Sequence, residues 1–385
     1  METVCRLPLA IQKIFAASHC GVAFLGGSLT TGVGASNTAE TSWRALFLKY
    51  LYRKYHPVYH NQVSEIMGAV GASESFVTAF TMERNVIRHN PDLALVEFCV
   101  NDRGVPDKTL VLKGMEGIVR QLLQAKDRCD VMILGAGCRP GSDPATPDGS
   151  VDHSLHRKIA DYYDVPFVDI QRYMTNALRH RGQTWEDVSI EFVEKDNVHL
   201  NDYGNWLAFE AIRDCFEENV AAFLRGKKKD WKAPLPPPMV SDELQFTRLV
   251  DPARSSEVVL EGNWQRKSEG LVPWYFDNLM VGTPGDRMVF TFKGTAVAVF
   301  GLMYNNGLKV NAVLDGKKIP GPYLLHFIEF GKGFVLAHGL AYGEHTLELV
   351  VAPPSKRHNK LENPTAQIGY LGVGGVREPG DVNAK

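Results

Sequence analysis

Four short segments, far apart in the chain, carry between them the parts needed to open an acyl bond. They are Gly26-Gly27-Ser28-Leu29-Thr30, Gly68-Ala69-Val70-Gly71-Ala72-Ser73, Asn101-Asp102 and Asp196-Asn197-Val198-His199. A serine hydroxyl is a weak nucleophile until a base removes its proton. A carboxylate three residues before a histidine on a tight turn can reach the ring Nδ1, fix the tautomer and leave Nε2 to take that proton. Asp196 stands in that relation to His199. The amide of Asn101 and backbone N–H groups in the glycine turns are candidate donors to a developing oxyanion, each worth roughly 3–4 kcal/mol of transition-state stabilisation. Each segment also has a plainer reading. Gly26-Gly27-Ser28 fits a turn with a helix cap, Asn101-Asp102 fits a turn-forming pair, and Asp196 to His199 fits a cap beside a surface histidine. Asp102 is expected to shape its turn rather than act chemically. Ser28 does not sit in a G-x-S-x-G elbow, and Gly26 to Gly34 lacks the dinucleotide-binding G-x-G-x-x-G.

The elements that must position these residues alternate strand and helix from about 20 to 225. Gly21 to Leu25 is an apolar strand ending in glycines, so Ser28 falls at a strand's carboxyl end, where open parallel sheets place ligands. Trp43, Leu46, Phe47 and Tyr50 recur at helical spacing within Ser42 to Tyr55. Leu93 to Val100 reads as a strand that delivers Asn101 at its end, Leu110 to Ala125 as a helix and Val131 to Leu134 as a strand. His153 to Tyr163 reads as a helix, Pro166 to Ile170 as a strand and Tyr203 to Leu224 as a final helix. This alternation implies a parallel sheet covered on both faces.

The pattern then changes. Lys232-Ala233-Pro234-Leu235-Pro236-Pro237-Pro238 cannot continue a helix or enter a central strand and reads as a stiff linker. Beyond it lie β-type runs at Met288–Phe292, Ala296–Phe300, Leu308–Leu314 and His345–Val351, with Asp315-Gly316 as a hairpin signal. The expected division is a catalytic domain over 1–226, a Lys/Pro-rich linker over 227–240 and a β-sandwich over 241–385.

In order and surroundings the four segments resemble blocks I, II, III and V of the SGNH (GDSL) hydrolase superfamily, across about residues 20 to 210. The matching phrases include Gly32-Val33-Gly34-Ala35-Ser36, Val96-Glu97-Phe98-Cys99-Val100-Asn101-Asp102 and Asp196 to Gly204. The resemblance implies a flavodoxin-like three-layer α/β/α fold. It implies Ser28 as nucleophile and His199 as general base oriented by Asp196. It implies an oxyanion hole formed by the N–H of Ser28, the N–H of Gly71 and the Asn101 amide, and it calls for no metal or organic cofactor. The chain departs from the family where the block I aspartate is Gly27 and the block III glycine is Cys99. Gly68 and Gly71 both lie in block II; Gly71 is favoured because Ala72-Ser73-Glu74-Ser75 fits the helix start that follows. The β half resembles, more loosely, the jelly-roll modules of carbohydrate esterases, on Phe292 to Ala296, Val310 to Gly316, His338-Gly339-Leu340 and Gly343 to Leu347. Trp264, Trp274, Tyr275 and Tyr304 are its candidate sugar-stacking rings, each with core packing as the favoured alternative.

Bulk properties narrow the classes. The 385 residues carry a formal net charge of -2, which argues against a general nucleic-acid binder. The basic run Arg225 to Lys229 reads as a solvated helix end. No apolar run approaches the roughly 18–20 residues of a membrane span, and the first residues show no secretory signal. The cysteines Cys5, Cys20, Cys99, Cys129, Cys138 and Cys215 have no metal-type spacing; reduced thiols in a cytoplasmic protein are the simplest reading. His153 and His156 lie at i, i+3 without a third metal ligand in sight. Arg103 is placed either to reach a substrate oxygen or to pair with a carboxylate. The leading expectation is a serine esterase removing acyl groups, O-acetyl first, from a sugar or oligosaccharide. The alternatives are a lipid or acyl-CoA esterase or thioesterase, acyl transfer to a sugar instead of water, and a non-catalytic carbohydrate-binding protein. No nucleic acid or membrane partner is expected, and a homo-oligomer is left open.

Overall fold

A computed structural model describes residues 3–125, 127–139, 146, 150–190, 198–269, 271, 275–303, 307–320, 330–354 and 364–376. It divides into two compact units, one running to Ser241 without Ala79–Thr81, the other made of Ala79–Thr81 and the chain from Asp242.

Among the described residues the first unit is built on five parallel strands, β1 (His19–Gly26), β2 (Gln62–Met67), β3 (Leu93–Glu97), β4 (Asp130–Leu134) and β5 (Phe167–Val168). Their order is β2-β1-β3-β4-β5, with parallel register throughout. Every residue of β3 and β4 is buried, as expected of strands covered on both faces. The helices are α1 (Pro8–Ile14), α2 (Ser28–Thr31), α3 (Trp43–Tyr59), α4 (Ser75–Thr78), α5 (Met82–Asn85), α6 (Cys99–Asp102), α7 (Lys108–Leu123), α8 (Ser154–Tyr163), α9 (Ile170–Arg181) and α10 (Asp202–Leu224). On one face α1, α3, α9 and α10 share a core with Phe24, Leu95 and Met132. On the other α7 and α8 pack together and against β4. The result is the three-layer α/β/α arrangement.

Capping residues set the helix starts. Ser42, Asp107, Asp169 and Asn201 each accept a backbone N–H from the first turn of the helix that follows. Helix α1 lacks a local cap and is served from β4 instead: Asp130 accepts the N–H groups of Leu9 and Ala10 at 2.8 and 3.0 Å.

Two expected strands are shorter than the apolar runs implied. Strand β3 stops at Glu97, opposite Gly26, because β1 ends there and leaves residues beyond without a partner. Val100 and Asn101 therefore lie in a short helix rather than at a strand end. Strand β5 stops at Val168 because Asp169 caps α9, which opens at Ile170. The basic run and linker also do more than expected. Cys5 pairs in both directions with Lys227 and Lys229, and the Lys229 ammonium donates to the carbonyls of Tyr163 and Asp164 at 2.8 Å. The end of the proline segment is held on α7. Buried Glu116 accepts the N–H groups of Met239, Val240 and Ser241, and Arg120 donates to the Pro236 carbonyl at 2.8 Å.

The second unit is a pair of antiparallel sheets. Its strands are β6 (Thr247–Val250), β7 (Val258–Glu261), β8 (Gln265–Lys267), β9 (Leu279–Gly282), β10 (Arg287–Gly294), β11 (Ala296–Met303), β12 (Val310–Leu314), β13 (Lys317–Ile319), β14 (Phe330–Ala337), β15 (Gly343–Val351) and β16 (Ala366–Gly374). One sheet runs β13-β12-β15-β10-β7 and the other β14-β11-β16-β9-β8, with β6 beside β16. Alternate residues of both, such as Met288, Phe290, Leu347, Val297, Leu371 and Val373, form one core, the packing of a β-sandwich. Asp315 and Gly316 join β12 to β13 with φ of 50° and 77°, the backbone that a two-residue hairpin turn requires. Trp264 packs against this core and donates its ring N–H to the Arg287 carbonyl at 3.0 Å. Tyr275 is half-buried. Trp274 and Tyr304 lie outside the described residues.

Candidate active site

Strand order reverses direction between β1 and β3, since β1 is followed by β2 on one side while β3 leads to β4 on the other. Ligands of open α/β sheets bind at the carboxyl ends of strands at such a switch point. Ser28 follows β1, the Gly68–Ser73 loop follows β2, and Asn101 follows β3, so three of the sequence segments come out on that edge.

Ser28 opens the single-turn helix α2. Its last carbonyls are held by α3: the Trp43 indole N–H donates to Leu29 O at 3.1 Å and Arg44 Nε to Thr30 O at 3.2 Å. Gly32 ends the turn in the left-handed region at φ 92°, a conformation that favours glycine. A four-residue helix is not stable alone; these tertiary bonds give it a fixed direction.

His199 reaches Ser28 from the opposite end of the sequence. Its Nε2 lies 2.8 Å from Ser28 Oγ. The loop that carries it is pinned on both sides. Ile190 N–H donates to His199 O at 3.0 Å, Asn201 N–H to Val188 O at 3.0 Å, and Ser189 and Leu200 form a β-bridge. Asp202 then ties the start of α10 to the loop after α2, accepting from Ser36 N–H at 2.7 Å and from the Thr41 hydroxyl at 2.7 Å. Serine and histidine are thus positioned by loops bonded to each other. Asp196 lies outside the described residues.

Asn101 and Gly27 explain one another. A Cβ at position 27 would overlap the Asn101 side-chain amide, so the glycine standing where the family has aspartate is the seat of that amide. In block II the two glycines differ. Gly68 N–H donates to Phe24 O at 2.9 Å and Val70 N–H to Gly26 O at 3.0 Å, which extends the β1–β2 ladder. Among the described residues no backbone acceptor takes the N–H of Gly71 or of Ser28, and the space where a side chain at 71 would project is open. Ala72 beside it sits in the left-handed region at φ 55°, a conformation that costs a non-glycine residue about 1–2 kcal/mol.

Asp102 is a structural residue, but it ends a turn of helix and bridges distant elements instead of shaping a turn of its own. It is buried, accepts Ser75 N–H at 3.0 Å and lies 3.0 Å from His156 Nε2, which links α6 to the block II loop and to α8. His153 lies 2.9 Å from Ala136 O and 3.6 Å from Asp169. The two histidines therefore face different partners and do not form a metal pair. Arg103 Nη1 lies 2.7 Å from the buried Cys138 sulfur, and among the described residues it forms no ion pair with a carboxylate. The cysteines are free thiols, and burial pushes the Cys99 thiol well above its ordinary pKa.

Sequence reading passed over Glu97. It is the only carboxyl-bearing residue in the run Leu93 to Val100, which was the available signal. It is 1% exposed, and burial pushes its carboxyl up to about 8.

The family comparison agrees with this architecture. Residues 24–207 match the profile of the GDSL-like Lipase/Acylhydrolase family. No curated protein matches. Among solved structures, a two-domain esterase (CEX) active on acetylated mannans, co-crystallized with mannopentaose, superposes with a TM-score of 0.79 at 16% identity, covering 98% of this chain and 97% of that one. A second structure of that esterase gives 0.78 at 16% identity, covering 97% and 96%. At this identity the likeness is one of fold, and it extends across both units. Among the described residues no helix is long and apolar enough to cross a membrane.

Proposed function

The α/β unit belongs to the GDSL-like lipase/acylhydrolase family, which makes the chain a carboxylic ester hydrolase, and on that premise we propose that it removes O-acetyl groups from a carbohydrate through a serine acyl-enzyme. The observation that carries the reading is the 2.8 Å approach of His199 Nε2 to Ser28 Oγ at the switch point of the sheet. In the proposed reaction His199 takes the hydroxyl proton as Ser28 attacks the ester carbonyl, and returns it to the departing sugar oxygen. His199 then deprotonates water, which attacks the acyl-enzyme carbonyl; as the bond to Ser28 Oγ breaks, His199 returns that proton to Oγ and acetate leaves. Ser28 N–H, Gly71 N–H and the Asn101 amide receive the oxyanion in both steps. Asp196 orients His199 Nδ1.

The choice of carbohydrate acetate draws on the resemblance of both units to an esterase active on acetylated mannans. The domain assignment in the proposal is a catalytic unit to about residue 226, a linker and a β-sandwich that takes part in carbohydrate recognition. The test is acetate release from acetylated mannooligosaccharides and xylooligosaccharides, with acetyl and octanoyl esters of one leaving group run alongside. Ser28→Ala should remove activity while leaving the fold intact. Full activity in that variant, or preference for the octanoyl ester, would count against the reading.

A further inference from the structure

Between the nucleophile turn and the oxyanion-donor turn lies a carboxyl group with no place in the mechanism above. Glu97 ends β3, and its strand partner is Gly26, two residues before Ser28. Gly26 is pressed between the Glu97 carbonyl and the Thr30 side chain, either of which a Cβ at 26 would strike. Thr30 is fully buried on α2 and its hydroxyl has no hydrogen-bond partner. Both Glu97 carboxyl oxygens are likewise buried and make no hydrogen bond of ordinary geometry. Thr30 and the first backbone N–H groups after β3, those of Cys99 and Val100, are the polar groups that face the carboxyl. Those same N–H groups begin α6, which carries Asn101.

On the esterase reading, we infer that Glu97 is a positioning residue: as a neutral acid held between Thr30 and the start of α6, it fixes Ser28 and Asn101 relative to one another and keeps negative charge out from beneath the oxyanion. A buried carboxyl without a cation beside it stays protonated in preference to carrying charge. The charged and titratable groups around it agree. From α6 come Asp102, whose charge disfavours a second anion, and the Cys99 thiol. From α3, Arg44 is spent on the Thr30 carbonyl and on Glu65. His199 is engaged with Ser28. The acid's pKa, pushed up to about 8 by burial, leaves the neutral form dominant at pH 7. Above that, ionisation places an anion under the site where the transition state develops its own negative charge, which opposes the stabilisation the donors provide.

Glutamine reproduces the neutral acid in shape and polarity, and alanine does not. The experiment measures kcat and KM for para-nitrophenyl acetate from pH 6 to 10 in the wild type, Glu97→Gln and Glu97→Ala, with thermal melts of each. The wild type should lose activity on an alkaline limb near pH 8, falling about tenfold from its plateau by pH 9. E97Q should stay within about threefold of wild type at pH 7 and hold its plateau through pH 9. E97A should lose on the order of a hundredfold in kcat with KM little changed, as befits misplaced donors. An alkaline limb shared by E97Q, or E97A with wild-type kcat, overturns the role of Glu97. If E97A does not fold, the pH profile of E97Q decides alone. A wild type inert towards acetyl esters and unlabelled by a fluorophosphonate removes the esterase reading and this inference together. An active wild type with an unchanged limb in E97Q removes only the inference.

Discussion

Gly27→Ala adds one methyl group and should nearly silence the enzyme. The methyl falls on the Asn101 amide, and that side chain is the movable partner, so it must swing away from the site. The Cα of Gly27 is fixed by the carbonyl of the same residue, which accepts the N–H groups of Thr30 and Thr31 at 3.1 and 3.0 Å. In the proposed mechanism the Asn101 amide is an oxyanion donor, and its loss costs about 3 kcal/mol, or on the order of a hundredfold in kcat. Asn101→Ala should cost the same, since it removes the same donor. The double variant then separates this account from a general disturbance of the turn. With the amide gone, the methyl at 27 enters the vacated space, so Gly27→Ala in the Asn101→Ala background should be close to silent. The coupling between the two should therefore be about as large as either single effect, about 3 kcal/mol. The assay is kcat for para-nitrophenyl acetate across the four proteins of the cycle, with thermal melts to confirm folding. Effects that multiply to on the order of ten-thousandfold, or Gly27→Ala with wild-type kcat, would refute the reasoning.

Other perturbations reach the site or its frame through single contacts. Asp202→Ala releases Ser36 and Thr41, so the serine and histidine loops should drift apart and kcat should fall on the order of tenfold or more, read in the same assay. Asp130→Ala removes the acceptor of Leu9 and Ala10 N–H and should destabilise the first unit by about 1–3 kcal/mol in urea unfolding, with kcat of the folded protein unchanged. Glu116→Ala leaves the N–H groups of Met239, Val240 and Ser241 without their carboxylate. It should make the chain around Pro236 to Ser241 more sensitive to limited proteolysis, followed by mass spectrometry of the fragments.

The alternation of apolar runs and helical periodicity was enough to read the parallel sheet, because β1, β3 and β4 are buried on both faces and carry almost nothing else. Strand β2 escaped notice because Gln62–Met67 lies at the sheet edge, where polar residues interrupt the run. Helix α9 was missed because its first residue, Ile170, looked like the end of an apolar strand; the cap at Asp169 marks the change. Asn101 was expected at a strand end and lies in a turn of helix instead, since the length of β3 is set by where β1 stops, a tertiary fact absent from residues 93 to 100. The match of Gly27 to the Asn101 amide is of the same kind. Sequence showed an aspartate missing from a motif; structure showed what occupies its place. The meeting of Ser28 with His199, 171 positions apart, was legible only because order and spacing resembled a family.

The central claim is that Ser28 is the acylated nucleophile and His199 its base. Incubation with a serine-directed fluorophosphonate, digestion and mass spectrometry of the peptides tests it directly. The account predicts a single adduct on the peptide containing Ser28, slowed on the order of a thousandfold or more by His199→Ala and prevented by prior incubation with substrate. An adduct elsewhere, or esterase activity surviving in Ser28→Ala, would contradict it.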